Sequence, residues 1–62
     1  MESREILRLL KANGWVVRRQ VGSHIQLKHE RVPGTVTVPH PKKDVPLGTL
    51  KSIERQSGLS FK

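Results

Sequence analysis

The chain has 62 residues, no cysteine, and twelve Lys and Arg against five Asp and Glu, a formal charge of +7 with a pI near 11.0. That length allows one domain, residues 1–62, which buries only about 60% of its unfolded surface and gains from a partner; without cysteine it has neither a disulfide framework nor a thiolate metal site. So basic a balance points to nucleic acid or another polyanion, and the lack of a signal-like apolar core or of about 18 consecutive apolar residues predicts a cytoplasmic protein with no membrane partner.

From Ser3 to Asn13 the apolar residues Ile6, Leu9 and Leu10 recur at i, i+3 and i+4, with Leu7 widening the stripe, which predicts a helix. Glu2 and Glu5 near its start and Lys11 near its end suit the helix dipole, and Gly14 is placed to end it as a left-handed cap residue. From Trp15 to Gln20 the period falls to two: Trp15 and Val17 point one way, Val16, Arg18 and Gln20 the other. The residues Val21-Gly22-Ser23 supply a turn. His24 to His29 then alternate as a half-buried strand, with Ile25 and Leu27 inward and His24, Gln26 and Lys28 outward.

Pro33-Gly34 marks a second turn. Thr35 to Pro39 reads as a third strand, with Val36 and Val38 inward and Thr35 and Thr37 outward. Pro39 and Pro41 bar a helix immediately afterwards. Pro46 suits the first turn of a second helix, with Asp44 ahead of it as a candidate cap. Leu47, Leu50 and Ile53 share one face of that helix, Gly58 closes it, and Leu59 and Phe61 are placed to fold back on the core. The order is α-β-β-β-α. Two hairpin connections imply a three-stranded antiparallel sheet, and an α+β fold with both helices on one sheet face is the simplest way to bury both stripes. The other face stays open to solvent.

Chemistry is concentrated in three histidines, His24, His29 and His40. A zinc site needs three or four convergent ligands. His24 and His29 have opposite strand parity, no cysteine is present and the five acids are scattered, so neither a metal nor a cofactor is expected. His29, on the apolar parity at a strand end, reads as a packing or capping residue, and His40 between two prolines as a rigid loop element. His24 stands on the open face, where it contributes little to a core. An imidazole exchanges protons near neutrality, so a histidine at a basic surface can serve in RNA cleavage, where the substrate's own 2′-hydroxyl is the nucleophile. Lys28 lies roughly 13 Å along the strand, in reach of a neighbouring phosphate and not of the scissile one. With Gln26 beside it, Arg18 on the outward parity of the first strand, and Lys42 and Lys43 ahead of a helix start, it completes the expected RNA-binding set. The residues alone leave His24 open between a catalytic histidine and an exposed one with no task.

Several stretches together carry a resemblance. The first helix ending in "NGW", the "GSH" turn, and "TVTVPHPKKDVPLGTLKSI" followed by "SGLS" cover almost the whole chain in one order and spacing. In these the chain resembles HicA toxins, the small mRNA interferases of HicAB toxin–antitoxin systems. The resemblance implies a fold like that of the double-stranded-RNA-binding domain and a metal-independent endoribonuclease that cuts mRNA and arrests growth. It also implies that the histidine of the GSH motif, His24, is the catalytic residue, and that a HicB-type antitoxin neutralises the toxin by occluding its active site. The alternative is a non-catalytic module of the same fold that binds duplex RNA by shape through the lysines at its second helix.

Overall fold

Each element forms where its local pattern dictates. In the computed structural model, which describes residues 1–61, the order is α1 (Ser3–Ala12), β1 (Trp15–Val21), β2 (His24–His29), β3 (Val36–Pro39) and α2 (Leu47–Ser57). Helix α1 ends where expected: Gly14 takes φ +93°, and its N–H donates to the Lys11 carbonyl at 3.1 Å. Helix α2 ends in the same way at Gly58, φ +76°, whose N–H donates to the Glu54 carbonyl at 2.8 Å. On the outward side of α1 the Arg8 guanidinium bonds Glu5 and holds that carboxyl below the usual carboxylate range.

The three strands are antiparallel in the order β1-β2-β3. Both helices pack on one face of the sheet, α1 against β1 and β3 and α2 against β3. Between the layers lie Ile6 and Leu10 of α1, Leu27 of the central strand, Val36 and Val38 of β3, and Ile53 of α2, all essentially without solvent exposure. Leu59 and Phe61 fold back against this core, the latter tied down by its N–H donating to Glu54 Oε2 at 2.8 Å.

Two expectations for α2 need correction. Leu47, the first residue of the helix, is 68% exposed; the inward side consists of Ile53 and Ser57, both buried, with Leu50 half-buried beside them. Asp44 does not cap the helix. Pro46 occupies the cap position with no side-chain bond, and Asp44 turns instead to the Met1 ammonium at 3.2 Å. Among the described residues no helix is long and apolar enough to cross a membrane.

Candidate functional site

Residues directly opposite each other on paired strands share a face. The register therefore draws the open face. At its hairpin end His24 lies opposite Val21 on one side and Pro39 on the other. In the next row Gln26 lies between Arg19 and Thr37, and beyond it Lys28 faces Val16. His24 and Lys28 are exposed, and Gln26 and Thr37 half-buried. The open face thus holds His24, Gln26 and Lys28 as the alternation of β2 requires.

β1 departs from simple alternation. Val17 pairs with Leu27 and Arg19 with Gln26, so Arg18 is an inserted residue, a bulge with no partner opposite. The insertion lets Trp15 face the helices, where it is 2% exposed, while Arg19 and Val21 four and six residues later face the open side. The parity that placed Gln20 on the open face fails beyond the bulge, since Gln20 pairs with the inward Ile25. Arg18 keeps the outward parity of Val16 but has no pairing partner of its own, and the cation paired opposite Gln26 is Arg19. That residue was missed although a signal for it exists. The turn Gly22-Ser23 has two residues, with φ +58° at the glycine, so counting back from it pairs Val21 with His24 and puts Arg19 on the same face.

The turn that carries His24 is held from the helix layer. The His40 N–H donates to the Ser23 carbonyl at 2.7 Å, tying the end of β3 to the residue just before His24. His40 in turn bonds Ser3 Oγ through Nδ1 at 2.8 Å, and Ser3 Oγ also accepts the Lys42 N–H at 2.9 Å. The Ser3 N–H closes the loop by donating to the Lys42 carbonyl at 2.9 Å. His40 is accordingly a brace, as its rigid setting between prolines suggested. Ser3 is 1% exposed, so its loss strands two polar groups in a half-buried place. Ser3→Ala should lower stability by about 1–3 kcal/mol. Thermal melting checks this, and an unchanged midpoint would show that the loop holds without Ser3.

Lys42 and Lys43 lie exposed in this same loop, at the His24 end of the molecule, with the Lys42 backbone fixed on α1. α2 begins four residues beyond Lys43, at Leu47. His29 is occupied elsewhere. Its Nδ1 accepts the N–H groups of Arg31 and Val32 at 2.9 and 3.3 Å, which leaves the proton on Nε2 to donate to the Asn13 carbonyl at 3.0 Å. The capping reading of His29 therefore holds. The ring of His24 makes no side-chain hydrogen bond among the described residues, and among them no three His, Cys, Asp or Glu side chains group as metal ligands.

An exposed imidazole on a basic sheet face, braced by the elements around it, can move protons for a polyanionic substrate. The family model described as HicA toxin of bacterial toxin-antitoxin matches residues 3–59. The chain belongs to the HicA toxin family. A chain of the solved HicA3 and HicB3 toxin-antitoxin complex superposes with a TM-score of 0.85 at 32% sequence identity, covering 100% of both chains. No curated protein sequence matches at a significant level. As a HicA-family member the chain is a toxin of a bacterial toxin–antitoxin system, and the open face with His24 is its candidate working surface.

Proposed function

We propose that this HicA-family toxin is a metal-independent endoribonuclease that cuts mRNA in the cytoplasm. His24 moves the proton, and a HicB-type antitoxin neutralises the toxin by covering the open face. The observation that carries the reading is the placement of His24, an unencumbered imidazole in the GSH motif of a HicA-family chain. None of the five acids lies on its face: Glu2 and Glu5 are at α1, Glu30 follows β2, Asp44 is in the loop and Glu54 is on α2.

The chemistry uses what RNA brings. The ribose 2′-oxygen attacks the adjacent phosphorus, the bond to the 5′-oxygen breaks, and the ends are a 2′,3′-cyclic phosphate and a 5′-hydroxyl. One proton leaves the 2′-oxygen and one arrives at the 5′-oxygen. A single histidine serves one of these transfers at a time. The surrounding cations hold the phosphate chain in place.

A synthetic RNA of mixed sequence tests this directly. Cleavage should persist in EDTA and stop when the 2′-hydroxyl at the cut site is replaced by hydrogen. RNA left intact by purified toxin, or cleavage that needs a divalent ion, would overturn the reading. The two loop lysines give a further check. Replacing Lys42 and Lys43 together by Ala should weaken binding to every sequence alike. It should also flatten the logarithmic salt dependence by about 1.4 for a single strand, two phosphate contacts' worth. An unchanged slope would remove that loop from the footprint.

A further inference from the structure

We infer that Arg19 is the catalytic cation of this site, the group that holds the non-bridging oxygens of the scissile phosphate while His24 transfers the proton. The inference rests on the ribonuclease reading above.

Val21 is opposite His24 and Arg19 is opposite Gln26, so Arg19 is the diagonal neighbour of His24 on the same face. Diagonal neighbours across an antiparallel pair stand about 7–8 Å apart, within reach of a long side chain. One phosphate placed over the His24–Gln26 strip is then accessible to both residues. Lys28, four residues further along the same strand, is roughly 13 Å from His24 and serves the next phosphate instead.

The charge of Arg19 is available. It is exposed, and among the described residues no carboxylate pairs with it; the ion pairs there engage Met1, Arg4, Arg8 and Lys51. The guanidinium is the suitable cation for this task. Its planar fork matches two phosphate oxygens, whereas an ammonium offers a point charge. Negative charge grows on those oxygens as the 2′-oxygen adds to phosphorus, so a donor already in place contributes most in the transition state.

The bulge supplies an independent argument. An unbroken β1 would put Trp15 and Arg19 on one face, because their separation is even. The insertion at Arg18 allows Trp15 to enter the core while Arg19 stays beside His24. Bulges recur next to active sites because they re-aim a side chain in this way.

The test is single-turnover cleavage of a synthetic RNA at saturating toxin, comparing wild type with Arg19→Ala, Arg19→Lys and Arg55→Ala, the last an exposed arginine on α2. Affinity is read separately with a 2′-deoxy strand that is not cut. Arg19→Ala should lose about 100-fold or more in rate at saturation, with affinity changed only a few-fold. Arg19→Lys should recover part of the loss. Free guanidinium at non-denaturing concentration should speed Arg19→Ala and leave wild type unchanged, a rescue that a structural role would not show. Arg55→Ala should cut at the wild-type rate. An Arg19→Ala rate equal to that of Arg55→Ala overturns the assignment, and so does a loss that appears wholly as weaker affinity. If wild type itself leaves RNA intact, the ribonuclease reading falls and this one with it; active wild type beside an undiminished Arg19→Ala sinks only the role of Arg19.

Discussion

His24→Ala is expected to lower the RNA cleavage rate by a factor of about 10²–10⁴, the usual contribution of a positioned acid or base. The growth arrest caused by induced expression should disappear with it. The fold should survive, because His24 is exposed and its ring makes no hydrogen bond to any described residue. A melting midpoint within error of wild type, together with retained antitoxin binding, would separate lost chemistry from lost structure. The wild-type rate should also depend on pH, as proton transfer by a side chain requires, and the variant's residual rate should lose that dependence. Equal growth arrest from both proteins, with RNA intact, would return the chain to the duplex-binding module.

The effect is expected to be large because the site offers no obvious substitute. His29 is fully engaged with Asn13, Arg31 and Val32, and His40 is held by Ser3 behind the turn. Neither is free to replace His24 without breaking the bonds that shape the hairpin and its neighbours. The three histidines thus differ in setting: His29 and His40 fix the backbone, and His24 stands exposed on the open face.

How much of this was legible in the chain follows from which interactions are local. The alternation of β2 is strict, so His24, Gln26 and Lys28 were placed correctly without knowledge of any partner strand. The glycines that end both helices were legible for the same reason, since a cap depends on its own few residues. β1 was misread because a bulge is a property of a pair of strands; alternation within one of them cannot reveal it. Leu47 was misread because periodicity gives the face of a helix and not which of its turns is covered. The brace from Ser3 to His40 joins residues 37 apart, and nothing local to either announces it. The face on which His24, Gln26 and Lys28 stand was therefore readable, while their neighbours on β1 awaited the register.

The second large effect concerns stability and tests the packing that holds β1 against β2. Gly14 has φ +93°, a conformation costing about 1–2 kcal/mol for a residue with a Cβ. A Cβ built there would meet His29 Nε2 at 2.7 Å, and that ring cannot yield freely. Three hydrogen bonds fix it, and the edge of Trp15 packs on it with ring centroids 5.2 Å apart. Displacing it forfeits at least one bond, worth about 1 kcal/mol. Gly14→Ala should therefore cost about 3 kcal/mol. Domains of 62 residues are stable by only about 3–9 kcal/mol, so this is a large share. The melting midpoint should fall by roughly 15 °C. A double-mutant cycle separates the two causes. In a His29→Ala background the clash is gone, and Gly14→Ala should cost only the backbone strain, leaving a coupling of about 1–2 kcal/mol. Additive losses would mean that His29 moves aside at no cost and that the positive φ of Gly14 alone requires glycine.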